Sequence, residues 1–199
     1  VMKQSNVVNS AGRPRSVEAE QAILNATWTL LKEGTVRDLS IEAIAREAGV
    51  GKTTIYRWWS SKTAVVIDAF LAKVISEIPF PEDSSAAQAL LGQVISLVKA
   101  FSGDYGRIVA EIIAEGQGDK EALENFRQRF LLPQRLAARA VMEKGIQSGE
   151  FDPNLDPELA MDILYGPIYY RLLVGHLPLD EEFASSLPER ALHCFLNKS

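Results

Sequence analysis

At 199 residues the chain has room for one or two small domains with a sizeable core, and 47% hydrophobic against 24% charged residues is a globular balance. The net charge of −5 divides unevenly: residues 1–62 hold nine Lys/Arg against six Asp/Glu, net +3, and residues 63–199 hold twelve against twenty, net −8. A single cysteine, Cys194, excludes an intrachain disulfide and points to a reducing, cytoplasmic setting, and no run approaches the ~18 consecutive apolar residues of a membrane span.

Residues 1–15 have no apolar periodicity and read as a flexible arm. Arg13 and Arg15 lie just before the first helix, where they either reach a phosphate or the minor groove or remain a solvated tail. Ser16 is placed to cap a helix to about Glu33, with Glu18 and Glu20 in its first turn and Ile23, Leu24, Trp28 and Leu31 on its apolar face. Gly34 ends it. Ser40 caps the next helix and sits where its hydroxyl could also meet a phosphate. That helix carries Ile41, Ile44 and Ala48 on one face and ends at Gly49, a residue able to take positive φ. Val50 and Ile55 continue the apolar face into a short helix. Its outward residues are Lys52, Thr53, Thr54, Tyr56, Arg57 and Trp58: hydrogen-bonding, cationic and aromatic, with no acid from Gly49 through Val66. Two helices about a glycine turn with that outward profile form a helix-turn-helix shaped to read a major groove. A fourth helix is expected from Ser60-Ser61-Lys62 to about Ile78, with Lys62 in a first turn suited to the DNA backbone.

Pro79 and Pro81 break the chain, and the boundary between a DNA-binding domain at 16–80 and a second domain at 84–199 is set before Ser85. Everything beyond reads helical. One helix covers 85–102. A second is capped by Asp104 and runs through Gly116, and a third runs from Asp119 to about Ser148, with Pro133 expected to kink or interrupt it. Asp156-Pro157 starts a helix that stops at Gly175 and holds Gly166-Pro167 in its middle. A last helix begins at Asp180 and is expected to be interrupted by Pro188. No strand pattern and no internal repeat is visible, so the fold class is all-α.

Catalysis finds no foothold in these residues. The histidines at 176 and 193 are far apart, and the neighbours His193 and Cys194 diverge on a helix, so neither a metal cluster nor a nucleophile–base pair emerges; no metal or cofactor is expected. GVGKTT echoes a phosphate-binding loop, but that motif needs glycine at 46, which is Arg46, and a preceding strand. The remaining alternative is an all-α adaptor or small-molecule-binding protein without DNA affinity.

The order of helices, together with Ile44-Ala45, Ala48-Gly49-Val50, Tyr56-Arg57-Trp58-Trp59 and Lys62, resembles the TetR family of bacterial transcriptional regulators. The stretch ELAMDILYGPIYYRLLVG resembles the C-terminal domain of one TetR subgroup. Two departures stand out: Gly51 occupies a position where many members have a capping Ser, and Trp58 replaces a commoner His or Tyr. The resemblance implies that Lys52, Thr53, Thr54 and Arg57 meet base edges or nearby phosphates. It assigns Tyr56, Trp58 and Lys62 to the DNA backbone, and Val50, Ile55 and Trp59 to the core. It further implies a homodimer on a palindromic operator, paired in part through Leu159, Ile163, Gly166, Tyr170 and Val174, for which an intrachain core helix is the competing reading. The middle helices would enclose a pocket for a small-molecule effector, largely apolar or aromatic. Phe101, Tyr105, Phe126, Phe130, Tyr165 and Tyr169 are its candidate lining, ordinary core being the alternative for each. Repression relieved by the effector is the expected mode.

Overall fold

The computed structural model describes residues 17–81 and 85–196. Arg13, Arg15, the arm and the Ser16 cap lie outside them. The described residues form ten α-helices: α1 Val17–Glu33, α2 Ile41–Glu47, α3 Lys52–Tyr56, α4 Lys62–Val74, α5 Ala86–Phe101, α6 Asp104–Gly118, α7 Lys120–Phe126, α8 Leu132–Gln147, α9 Pro157–Val174 and α10 Glu181–His193. A 3₁₀ turn, Ile75–Glu77, extends α4, and a π turn, Arg127–Leu131, joins α7 to α8.

Local chemistry accounts for most helix ends. The hydroxyls of Ser40 and Ser61 accept from the amides of Ala43 and Ala64, three residues on. Ser85 and Gln88 form a reciprocal capping box at the start of α5, and the Glu150 carboxylate accepts from the amides of Ala86 and Ala87 at 2.9 and 3.1 Å. Gly49 and Gly175 end α2 and α9 at φ 66°, the left-handed region that glycine enters without a Cβ clash. Three boundaries depart from expectation. Gly103, rather than Asp104, precedes α6 as its cap; Asp104 is the first helical residue and pairs with Arg107. The helix after it extends to Gly118. Pro188 does not interrupt α10: its ring is buried against the rest of the fold, and packing outweighs the one backbone bond it forfeits.

Pro133, by contrast, leaves a clear mark. It has no N–H to donate back along the helix, and the turn before it widens to π geometry, with the Leu132 amide bonded to the carbonyl of Arg127 five residues back.

One apolar cluster runs from Ile23 in α1 to Phe195 after α10. α4 is its axis. Thr63, Ala64, Val65, Val66, Ile67, Ala69, Phe70 and Val74 are all buried, because α4 is covered by α1 on one side and by α6 and α7 on the other. The helix-turn-helix therefore does not hang from a linker; it packs through α4 directly onto the body.

Candidate DNA-reading face and effector cavity

α3 is five residues long, and Gly51 at its N-cap supplies no side-chain bond. Its hold on the protein comes from packing instead: Ile55 is completely buried and Trp59 nearly so, as the family resemblance placed them. Lys52, Thr53, Tyr56 and Arg57 are exposed, and Thr54 and Trp58 are half-buried. Trp58 stacks on Trp59 with ring centroids 5.9 Å apart. The two adjacent indoles thus take different roles, one at the edge of the exposed face and one in the core. Lys52 is not idle before DNA arrives. Its ammonium donates to Glu42 on α2 at 2.9 Å, and that bond holds the Glu42 carboxyl below its usual range while raising the lysine. The Ser40 hydroxyl is engaged as the α2 cap.

Lys62 is engaged within the protein. Its ammonium donates to the carbonyls of Val36 at 2.7 Å and Arg37 at 3.2 Å and lies 3.8 Å from Glu115 of α6. These partners lie within the protein, so Lys62 ties the head together and to the body. It belongs to a larger clamp. Arg107 of α6 donates to the carbonyls of Leu31 at 2.6 Å and Gly34 at 2.9 Å, satisfying the open C-terminus of α1, and pairs with Glu111. Glu111 in turn accepts from the amide of Val36 at 2.7 Å. Nothing in the order of residues announced that contacts some 75 positions apart would meet here.

The body contains a cavity of about 350 Å³. Leu97, Ile113, Leu123, Phe126, Phe130, Leu131 and Met161 supply an apolar wall, and Ile78, from the end of the α4 extension, reaches it from the head side. Of the six aromatics expected to line it, Phe126, Phe130, Tyr165 and Tyr169 do. Phe101 and Tyr105 do not. Phe101 is buried with its ring edge-on to Tyr169 at 5.9 Å, and Tyr105 lies between the head and the body, stacked on Trp28 at 5.2 Å. Both are packing residues.

The cavity's polar groups are few. Gln93, buried in the apolar face of α5, accepts from the Tyr165 hydroxyl at 3.0 Å. A glutamine between Leu90, Val94 and Leu97 on one helical face was a readable signal that sequence reasoning passed over. Burial pushes the Tyr165 and Tyr169 phenols far above the ordinary range, so both remain neutral donors. The two cationic side chains at the wall are already matched: Arg135 pairs with Glu158 at 2.6 Å and Asp162 at 2.8 Å, and Arg127 with Glu124 at 2.6 Å. What remains for a ligand is apolar surface with neutral hydrogen-bonding groups.

Most of the residues expected at a dimer face are exposed. Leu159 is 59% exposed, Tyr170 60% and Val174 57%, with Ile163, Leu173 and Leu177 also exposed, and Leu132 and Leu136 of α8 are exposed large apolar side chains as well. Gly166 is exposed and borders the cavity. A soluble monomer seldom leaves so much apolar surface on one helix uncovered.

Known proteins account for this arrangement. Residues 23–69 match the family model described as bacterial regulatory proteins, tetR family, and residues 80–191 match the model described as tetracyclin repressor-like, C-terminal domain. The uncharacterized HTH-type transcriptional regulator YdeS of Bacillus subtilis (strain 168) is 39% identical over 176 residues, covering 88% of this chain and 89% of that protein. The crystal structure of the TetR family transcription regulator SCO0332 superposes with a TM-score of 0.78 at 29% identity, covering 90% of this chain and all of the other. The transcriptional regulator FadR from Bacillus subtilis, solved in complex with stearoyl-CoA, shares the fold with a TM-score of 0.69 at 21% identity, over 86% of this chain and 96% of that one. With helix-turn-helix head and helical body both matched, the chain belongs to the TetR family and is a DNA-binding transcriptional regulator.

Proposed function

We propose that this regulator represses transcription by binding a palindromic operator as a homodimer through residues 17–81, and that a small, uncharged, largely apolar molecule in the cavity between Ile78 and the helices of residues 85–196 releases it. The observation that carries the reading is a mostly apolar cavity whose wall includes Ile78, the residue that ends the α4 extension of the head. An occupant there touches the head's own chain and can favour one head position over another, which is the differential affinity that any ligand-driven switch requires.

Two further features support it. The exposed face of α3 brings Lys52, Thr53, Tyr56 and Arg57 together without an acid on the same helix, the profile of a helix that enters a major groove. The apolar strip of α9 offers a self-complementary surface for a two-fold partner, and two-fold heads read half-sites one helical turn, about 34–36 Å, apart. The paired arginines favour an uncharged effector, since an anion would have to displace Glu124, Glu158 or Asp162. The fold neighbour solved with stearoyl-CoA contributes the shape of the body alone; the chemistry is read from the lining residues of this chain.

The test is to select bound duplexes from a random pool, measure affinity for the winning site by fluorescence anisotropy, and screen neutral apolar molecules by thermal shift. A palindromic winner whose affinity falls when a stabilising molecule is added supports the proposal. Binding without salt dependence, or no enriched site at all, overturns it.

A further inference from the structure

The π turn at Arg127–Leu131 places two kinds of contact back to back. Arg127, Phe130 and Leu131 line the cavity. Arg129, between them, faces away and forms an ion pair with Oδ1 of Asp68 on α4. The other oxygen of that carboxylate, Oδ2, accepts from the indole Nε1 of Trp59 at 2.6 Å. Trp59 lies in the connection between α3 and α4, is 4% exposed, and stacks on Trp58 beside the reading face. One carboxylate therefore bridges the cavity wall and the base of the recognition helix. The next residue of the turn, Phe130, reinforces the same joint through its ring, edge-on to Phe70 of α4 at 5.2 Å.

We propose that Arg129 is the positioning residue through which occupancy of the cavity reaches the DNA-reading head, by way of Asp68 and Trp59. The inference rests on the cavity being the effector site and names how that site is coupled. A π turn suits the task physically. Its five-residue hydrogen bond, from the Leu132 amide to the Arg127 carbonyl, is one residue wider than the α-helical bond. Returning to α-helical register turns a side chain about the axis by roughly 100°, the angle of one residue in 3.6 per turn. A ligand pressing on Phe130 and Leu131 favours or opposes that change of register, and Arg129 then leaves or keeps Asp68. The turn supplies a change of register, which is what a switch requires and a rigid helix lacks. Its origin is in the sequence: Pro133 withholds the amide that would continue ordinary helical bonding.

The effector is unidentified, so the probe is a side chain grown into the site. Gly166 borders the cavity, and a Cβ added there meets nothing within 4 Å. Gly166→Leu fills part of the space and Gly166→Ala fills less. The readout is the Trp59 indole 15N–1H resonance of the full-length protein, assigned by its loss in Trp59→Phe. Gly166→Leu is expected to move that resonance, and Gly166→Ala to move it less. In an Arg129→Ala background, Gly166→Leu is expected to leave it where Arg129→Ala alone puts it, and Arg129→Lys restores part of the response. Equal movement with and without Arg129 overturns the proposal, placing the coupling on the α6 clamp. No movement in either background also overturns it. The regulatory reading of the cavity fails separately: a Trp59 resonance that responds through Arg129 while affinity for the selected operator stays constant supports the relay and refutes effector control.

Discussion

Lys62→Met separates two jobs that a basic residue in a DNA-binding head can do. The substitution keeps most of the alkyl stem and removes the ammonium, along with its bonds to the Val36 and Arg37 carbonyls and its pairing with Glu115. A hydrogen bond from a charged donor contributes about 1.5–3 kcal/mol when well buried. The Lys62 side chain is 25% exposed, its second carbonyl is the longer contact and Glu115 is distant for an ion pair, so solvent screens part of each contribution. We expect a loss of about 2 kcal/mol, which for a chain of this size lowers Tm by roughly 4–8 °C. Operator affinity is expected to fall modestly as the 34–37 loop loosens, with no change in its dependence on salt. Each phosphate contact contributes about 0.9 to the slope of log K against log salt. The assay is therefore a pair: differential scanning calorimetry, and anisotropy titrations from low to moderate salt. A slope lowered by about 0.9 with Tm unchanged would refute the reasoning, because it is the signature of a phosphate contact.

Other expectations follow from the same structure. Arg57→Ala, on the exposed reading face, should show the opposite pattern: a slope lower by about 0.9 and little change in Tm. Glu42→Gln releases Lys52 from its bond on α2 and should raise operator affinity, by no more than about fivefold since both groups are exposed; unchanged or weaker binding counts against Lys52 as a DNA contact. Ile163→Asp combined with Val174→Asp puts charge on the exposed strip of α9 and should yield a folded monomer by light scattering, with operator affinity lost; a dimer that survives both would place the interface elsewhere. Burial pushes the Tyr169 phenol above its unfolded value of about 10. Above that pH the unfolded chain sheds a proton that the folded one keeps, so its contribution to stability is intact below about pH 10 and declines as pH rises. Tyr169→Phe should flatten that alkaline decline in urea midpoints between pH 8 and 11, and an unchanged decline would remove Tyr169 as its source.

The helix-turn-helix was legible because its signals are local. A capping Ser40, an apolar face at helical spacing, Gly49 at positive φ and an acid-free outer surface beyond it all sit within residues 40–66, and side-chain orientation follows from spacing alone. The separation of Trp58 from Trp59 came instead from the family resemblance. Lys62 was half legible: local sequence shows that a lysine begins a helix but not that the 34–37 loop folds back over it. The cavity was half legible. Phe126, Phe130, Tyr165 and Tyr169 lie on faces that turn inward, yet Phe101 and Tyr105 sit on equally apolar faces, and only the crossing of α5, α6 and α9 decides which ring meets space and which meets another ring. Pro133 was expected to disturb its helix. That the disturbance would be a wide turn turning Arg129 toward Asp68 needed the register, which periodicity does not supply.

The clamp on α6 bears on how freely the parts of such a regulator can be exchanged. A head cut after residue 81 would leave behind Arg107, Glu111 and Glu115, and with them the partners of the Leu31 and Gly34 carbonyls, the Val36 amide and the Lys62 ammonium. It would also strip one side of α4, whose Phe70 packs on Phe130. A chimera that grafts this DNA specificity onto another sensor therefore inherits a matching problem. The seam that must be conserved lies along α4 and α6, well away from the proline-marked boundary where a sequence editor would naturally cut.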